Sequence, residues 1–355
     1  MTALLSRQSG IKLLPKTEVV LQDEGAIEEN SVAPSSRIVG PSKTACWSRE
    51  SSNALNAVRR NPHDLEIMNI LKSIFISGFL MLSIAIVGVA LWMLLQNRSP
   101  IGWMGVSLTA APFLAVISWL MFSKSTARTS AHFPVLNIVG AAGVGLAGWS
   151  WLRQDAGPLP PILALAGWFG FLLYSYWYSR LGRKQSAKLT IGNKLPTFVL
   201  KDVDGNRVDS ASLTGKPSIL MFYRGNWCPL CMAQIKELVG RYRDLEALGV
   251  RIALISPQPH DNTVELAEKY QVNFDFLTDE GNKAARVLGI AVENGIPMGM
   301  QMFGYEGETV LPTVIITDRD GSIIWTHETD NYRVRPEPDV FLEVLQKNQI
   351  VMEGH

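Results

Sequence analysis

The stretch Ser218-Ile219-Leu220-Met221-Phe222-Tyr223-Arg224-Gly225-Asn226-Trp227-Cys228-Pro229-Leu230-Cys231 decides how the C-terminal half of this chain is read. Residues 218–223 form a short apolar run suited to a strand buried on both faces. From Pro229 the period changes. Met232, Ile235, Leu238, Val239, Tyr242 and Leu245 recur at helical spacing, and Gly249 closes the helix. Two of the three cysteines therefore sit where a strand turns into a helix. A thiol there feels the positive end of the helix dipole and several free N–H groups, which favour thiolate over thiol. Pro229 suits the first helical position, since it has no N–H to leave unpaired. Cys231 follows one turn later, placed to attack a mixed disulfide on Cys228 and release the substrate.

Competing uses of a C-x-x-C are weaker. A zinc site takes about four ligands, and this pair with the remote Cys46 does not supply them, even if His260 and His327 are recruited. No metal and no cofactor is expected. Two structural thiols have no need of a strand-to-helix corner. The redox reading requires that the two sulfurs lie close together, hold no metal and remain reachable.

Working outward, residues 197–200 read as a strand ending at the Asp204-Gly205-Asn206 turn, and residues 250–255 as the next buried strand. Strand, helix and strand with a right-handed crossover give a parallel pair. A helix is predicted near 262–270, a strand near 274–277, a short helix near 282–289 and a last helix over 338–348. Residues 313–317 and 322–326 flank Asp318-Arg319-Asp320-Gly321 and read as an antiparallel hairpin. The sum, over 190–350, is an α/β module with a central mixed sheet and helices on both faces.

Upstream the composition changes. Between Ser73 and Ser179 the charged residues are Arg98, Lys124, Arg128, Arg153 and Asp155, and uncharged runs fill 74–95, 101–122, 135–152 and 162–178. Each reaches the length of about 17–20 apolar residues that crosses a hydrocarbon core as a helix. Four transmembrane helices are predicted within 70–179. Trp92, Trp103, Trp119, Trp149, Trp151 and Trp177 fall near the span ends, where amphipathic rings prefer the interface, and Trp168 is a mid-span packing residue. Lys and Arg cluster before the first span (Arg59, Arg60, Lys72), between the second and third (Lys124, Arg128) and after the fourth (Arg180, Arg183, Lys184, Lys188). The other two loops carry only Arg98 and Arg153, so both termini are placed in the cytoplasm. No Asp, Glu, Lys, Arg or His lies inside the runs, which argues against a transporter or pump. Gly140, Gly143, Gly145 and Gly148 give span three a close-packing face for the bundle or for a second copy in a homodimer.

Residues 1–69 lack a consistent pattern and read as a largely disordered cytoplasmic segment, with Cys46 an incidental thiol. Residues 180–189 read as a basic linker. A net charge of +1 excludes a nucleic-acid binder working through bulk charge. Arg333, Arg335 and Glu337 read as surface charges.

The stretch 222–231 resembles the thioredoxin-like superfamily, and within it the peroxiredoxin-like branch of the alkyl hydroperoxide reductase/thiol-specific antioxidant family. Gly192-Asn193-Lys194-Leu195-Pro196-Thr197-Phe198 and Leu200-Lys201-Asp202-Val203-Asp204-Gly205 are similar to that family's first strands, and Leu311-Pro312-Thr313 to the superfamily's cis-proline segment facing the sulfurs. The resemblance covers about 190–348 and implies a thioredoxin fold, an oxidoreductase or antioxidant activity, an active cysteine pair and an external thiol reductant. It leaves two alignments. In thioredoxins the first cysteine attacks, here Cys228. The peroxiredoxin pattern Pro-x-x-x-Thr-x-x-Cys puts Arg224 at the Pro, Cys228 at the Thr and Cys231 at the peroxidatic Cys. The absent Pro and Thr favour dithiol exchange, with Cys228 attacking and Cys231 resolving. Trp227 is expected to shield the disulfide, Arg224 to stabilise a thiolate or to lie at the surface, and Pro312 with Thr313 to leave the Leu311 backbone free for an extended substrate.

The leading expectation is thus a thiol–disulfide oxidoreductase tethered to a lipid bilayer, acting on a protein disulfide. A thiol-dependent peroxidase with Cys231 attacking peroxide is the alternative, and a non-catalytic membrane redox sensor or scaffold is the reading of another class.

Overall fold

The structure, a computed structural model, describes residues 62–122 and 128–348. The expectations for residues 1–61, Cys46 among them, and for Lys124 lie outside the described residues. Four helices come first: α1 (Pro62–Leu95), α2 (Pro100–Phe122), α3 (Pro134–Leu152) and α4 (Leu159–Leu173), the last running on into a π-helical turn, Tyr174–Tyr178. Three open on a proline, which has no N–H to leave unpaired in the first turn. All four are long and apolar enough to cross a membrane. The first begins eight residues ahead of the boundary expected at 70. Its opening turns hold the later module, with Asn69 donating to the Glu293 carbonyl at 2.9 Å and Glu66 accepting from Asn294 at 3.2 Å.

The bundle turns its small residues inward. Gly105, Gly140, Gly143, Ala110, Ala147 and Ala164 are buried, while Met81, Leu91, Val135, Ile138, Ile162 and Phe169 point outward. A methyl group on Gly105 would stand 2.5 Å from the Gly143 carbonyl oxygen, so α2 and α3 touch backbone to backbone. The glycine face of α3 is therefore used inside the bundle at Gly140 and Gly143, whereas Gly145 and Gly148 face open space. Trp168 packs over Gly140 as expected. Trp92, Trp119, Trp149 and Trp151 face outward, but Trp103 is buried among Ile86, Val106 and Ala147 instead of joining a belt.

The C-terminal module is built on a seven-stranded mixed sheet in the order β2-β1-β5-β4-β3-β8-β9. The strands are β1 (Val199–Lys201), β2 (Arg207–Asp209), β3 (Ser218–Phe222), β4 (Arg251–Ser256), β5 (Asp275–Thr278), β8 (Thr313–Thr317) and β9 (Ile323–Glu328); β6 (Ala291–Val292) and β7 (Thr309–Val310) form a separate small ladder. β3, β4 and β5 run parallel, and β8 returns antiparallel beside β3 with Phe222 opposite Thr313. Strand periodicity sorts the core. Ile219, Met221, Leu254 and Ile316 face α5 (Pro229–Gly240), α7 (His260–Tyr270) and α9 (Pro338–Lys347). Leu220, Phe222, Ile255 and Ile315 face α8 (Lys283–Leu288) on the other side.

Most predicted elements are present within one to three residues. The long helix expected over 229–249 is split at Gly240, the residue with least helix propensity, into α5 and α6 (Tyr242–Ala247). Arg241 at the break pairs with Asp244 and Asp339, each at 2.6 Å. The stretch expected as a basic linker is folded against the module. Arg183 makes a buried 2.7 Å ion pair with Glu328 and also donates to the Pro312 carbonyl and the Thr313 hydroxyl, both at 3.0 Å.

Bundle and module share one apolar core, in which Phe79, Phe113, Phe171 and Tyr174 run on into Tyr332, Tyr223 and Ile235. Arg333, expected at the surface, is fully buried at this junction. Its five N–H groups are all used: Ser179 Oγ at 2.8 Å, Thr129 Oγ1 at 3.2 Å, and the carbonyls of Ser130, Ala131 and Ser175 at 2.6, 2.8 and 3.1 Å. Its guanidinium lies 4.3 Å from the Phe133 ring centroid. Arg333→Ala would strand several buried acceptors and is expected to cost about 3–5 kcal/mol. A lowered melting temperature of the detergent-solubilised protein checks this, together with faster proteolytic separation of module from bundle.

Candidate active site

The corner between β3 and α5 is built as its sequence dictates. Cys228 occupies the N-cap of α5 with extended backbone, Pro229 takes the first helical position, and Cys231 lies in the first turn. Upstream, residues 224–227 form a tight loop pinned from the end of β4. The side-chain oxygen of Gln258 accepts the Asn226 N–H at 2.8 Å, and its amide donates to the Tyr223 and Thr263 hydroxyls, both at 3.1 Å. Gly225 adopts φ +137°, where a side chain would meet the Trp227 indole.

Both thiols are free, and their sulfurs lie within hydrogen-bonding reach of each other. Among the described residues no cluster able to hold a metal is found. The first requirement set by the sequence, closeness of the two sulfurs, is met. The third is not met in this conformation, since Cys228 is 1% and Cys231 0% exposed. The covering layer is aromatic and cationic. Arg224 stacks over the Trp227 ring at 4.6 Å and lies 5.8 Å from the Tyr332 ring, and Tyr332 OH is 3.0 Å from Tyr174 OH of the bundle. Of the two readings weighed for Arg224, the surface charge is excluded, because the side chain is buried and donates to the Gly295 carbonyl. Trp227 is half-buried in this layer.

The two sulfurs stand in unequal surroundings. The Cys228 sulfur accepts no capping N–H bond, despite sitting at the helix start. Its thiol is pushed well above the ordinary range, first by its hydrogen bond to Cys231 and then by burial. For Cys231 burial is the largest influence and acts upward. It is outweighed by the hydrogen bond from Cys228, the Arg335 charge, the Arg224 backbone N–H and the Arg224 charge, which together bring the thiol down to about 6. Arg335 was expected at the surface. It is 6% exposed, its Nη2 lies 3.7 Å from Cys231 Sγ, and its Nε donates to the Tyr332 carbonyl at 2.7 Å. The dipole argument from sequence assigned the thiolate to Cys228; the charges in the fold favour Cys231.

Pro312 and Thr313 open β8 beside Phe222 and are held by Arg183, while Leu311 N–H donates to the Ile290 carbonyl at 2.8 Å. Leu311, Arg224 and Tyr332 line a cavity of about 40 Å³, which Tyr178, Ile296 and Lys72 also border. The sequence reading missed Arg335, Tyr332 and Gln258. Each comes from a loop distant in the chain, and no periodicity or motif spacing marks it.

Residues 191–326 match the model of the AhpC/TSA family. The thiol-disulfide oxidoreductase ResA of Bacillus cereus is 28% identical over 167 residues, which is 46% of this chain and 81% of that protein. The chloroplastic peroxiredoxin Q of Sedum lineare is 34% identical over 110 residues, 30% of this chain and 59% of that protein. Among solved structures, the peroxidoxin BcpB of Mycobacterium tuberculosis covers 45% of this chain and 97% of its own, at 18% identity and a TM-score of 0.38. The family match and the two named relatives support an oxidoreductase or peroxiredoxin-like enzyme in the C-terminal half, and enzymes of this kind work through cysteines without a bound cofactor.

A titration of thiolate ultraviolet absorbance checks the assignment of charge. One thiolate should appear as pH rises from about 5 to about 7, following the lowered Cys231 thiol, with no second one until well above pH 9. Cys231→Ser should abolish the first step, and Arg335→Met should move it to higher pH.

Proposed function

With residues 191–326 forming an AhpC/TSA-family module, we propose that this chain is a membrane-anchored thiol oxidoreductase in which Cys231 is the attacking thiolate and Cys228 resolves it. The observation that carries this order is the Arg335 guanidinium 3.7 Å from Cys231 Sγ, both buried. It supports the peroxiredoxin-type alignment over the thioredoxin-type order favoured by sequence. Cys228 then stands where peroxiredoxins have Thr, and its S–H donates to the Cys231 sulfur as that hydroxyl would.

The reaction with a hydroperoxide is a two-electron oxidation of sulfur. The Cys231 thiolate attacks one peroxide oxygen, the S–O bond forms as O–O breaks, and the leaving oxygen departs as an alcohol or water after taking a proton. Cys228 attacks the resulting sulfenic acid, the S–S bond forms, and water leaves. An external dithiol restores the pair by exchange. Arg335 and Arg224 hold the thiolate and offer charge to the departing oxygen. Trp227 and Tyr332 keep bulk water from the sulfurs. Pro229 sets the helix start, and Pro312 with Thr313 shapes the strand end beside it. The cavity of about 40 Å³ next to Arg224 has room for water-sized molecules. A small oxidant can reach the covering layer, whereas a protein disulfide needs that layer to open.

Dithiol exchange on protein disulfides is the second reading. A C-x-x-C at a helix start with sulfurs in hydrogen-bonding reach supports it, as does the likeness to a protein named thiol-disulfide oxidoreductase. In the third reading, a sensor or scaffold, the pair would titrate without turning over.

Four helices long and apolar enough to cross a membrane support a multi-pass protein, with 70–179 as the proposed membrane part and 190–350 as the proposed catalytic part. With four spans, the start of α1, Arg128 after α2 and the basic run after α4 fall on the module's side. That side carries the excess of Lys and Arg, which supports a cytoplasmic module. Part of this excess has a second use, because Arg128 pairs with Glu237 and Glu337 of the module and Arg183 with Glu328.

Peroxide consumption with a dithiol reductant separates the readings. Cys231→Ser is expected to lower it at least about 100-fold, the scale of losing a nucleophile. Cys228→Ser should retain one stoichiometric turnover and stop at the sulfenic acid. Loss of disulfide reduction with Cys228→Ser, without peroxide turnover in the wild type, would establish exchange instead.

A further inference from the structure

The segment Gly295-Ile296-Pro297-Met298-Gly299-Met300-Gln301-Met302-Phe303-Gly304-Tyr305 has no charged residue and is flanked by Glu293 and Glu306. It leaves the module as a loop between β6 and β7, tightened by a 3-10 turn over Met300–Phe303. Gly299 at φ +97° and Gly304 at φ +81° bracket that turn, in the left-handed region where a side chain is strained. The loop exposes what a soluble surface hides. Met302 is 88%, Phe303 70% and Met298 53% exposed.

Its place against the bundle is fixed. The Met298 N–H donates to the Ser73 carbonyl at 3.3 Å, Ser77 Oγ donates to the Met298 carbonyl at 2.9 Å, and Ser73 Oγ donates to the Ile296 carbonyl at 2.6 Å. Ser73 and Ser77 lie in the first turn or so of the run of α1 that carries no charge up to Leu95. If α1 spans a bilayer from that point, the loop is held at the depth where headgroups give way to acyl chains. There α1 itself turns Ile70, Leu71 and Ile74 outward.

We propose that residues 297–304 are an interfacial membrane contact, with Met298, Met302 and Phe303 inserted among lipid acyl chains beside α1. This rests on the membrane reading of the four spans. Continuity with the outward apolar face of α1 selects lipid as the occupant, and the flanking Glu293 and Glu306 stay at the aqueous edge. Apolar side chains on such elements insert about 5–10 Å. The methionines suit a fluid surface, being unbranched and adaptable. The loop's base also carries the Gly295 carbonyl that accepts from Arg224 and the Ile296 side of the cavity beside it. The lipid contact and the covering layer over the sulfurs therefore share one backbone segment.

The test is site-directed spin labelling of the full chain in phosphatidylcholine/phosphatidylglycerol vesicles, with Cys46, Cys228 and Cys231 replaced by Ser. Single labels are placed through Met302→Cys, Phe303→Cys, Ile84→Cys in mid-span and Lys216→Cys on the module surface. Collision rates with oxygen and with a water-soluble nickel chelate are compared. At 302 and 303 the oxygen-to-nickel ratio should rise several-fold above that at 216, toward that at 84. A water-like ratio at 302 and 303 with a lipid-like ratio at 84 overturns this proposal and leaves the spans intact. A water-like ratio at 84 overturns both. Low collision with both reagents at 302 and 303 means a protein surface covers the loop, which also overturns it.

Discussion

Everything at the sulfur pair depends on how residues 329–335 are seated between module and bundle. Arg333 spends all five of its N–H groups on the bundle end and on Ser179. Among the described residues no carboxylate pairs with it; carbonyl dipoles, hydroxyls and the Phe133 ring solvate the charge instead. One residue before it, Tyr332 meets Tyr174 and closes the layer over the cysteines. Two residues after it, Arg335 reaches Cys231. A shift of the bundle against the module would move all three together. The apolar core is continuous across the same boundary, so docking and thiolate environment are one packing problem rather than two.

The dependence on a distant loop explains what the sequence could and could not reveal. Period changes marked β3, α5 and β4 because each buries a full face of the module. The four long apolar helices were legible for the same reason, in a charge-free composition. Pro229 at the first helical position followed from chemistry local to four residues. Arg333 and Arg335 were misread because local sequence supplies only their charge. What buries Arg333 is the end of a bundle more than 150 residues upstream, and what Arg335 meets is Cys231 and Gln234, 104 and 101 residues upstream. Arg183 was misread in the same way: in a basic run it resembled a linker, but Glu328 lies across the fold. The split of the long helix at Gly240 was visible in principle, since glycine is the weakest helix former in that stretch.

The assignment of the two thiols shows how magnitudes decide between a local and a tertiary effect. A helix N-terminus carries about half a unit charge, effective within the first turn. A guanidinium brings a whole one. At about 4 Å and an effective dielectric near 20, a unit charge is worth about 4 kcal/mol, comparable to three pKa units. Burial of both sulfurs works against ionisation and must be overcome. The dipole alone is too weak for that at Cys228, where no N–H bond reaches the sulfur. At Cys231 the cation, a backbone N–H and the neighbouring thiol act together.

Sealing the pair then becomes part of the chemistry rather than an obstacle to it. With water excluded, the Arg335 charge is less screened and the Cys228 proton stays on Cys228. A small oxidant needs only a fluctuation of the Arg224, Trp227 and Tyr332 layer. A folded protein bringing a disulfide would have to displace Tyr332 from Tyr174, and with it the loop that holds Arg335 beside Cys231. Opening wide enough for such a substrate would thus disturb the thiolate meant to attack it. A small hydroperoxide does not meet that conflict, and this asymmetry ties the proposed substrate class to the way the module is docked.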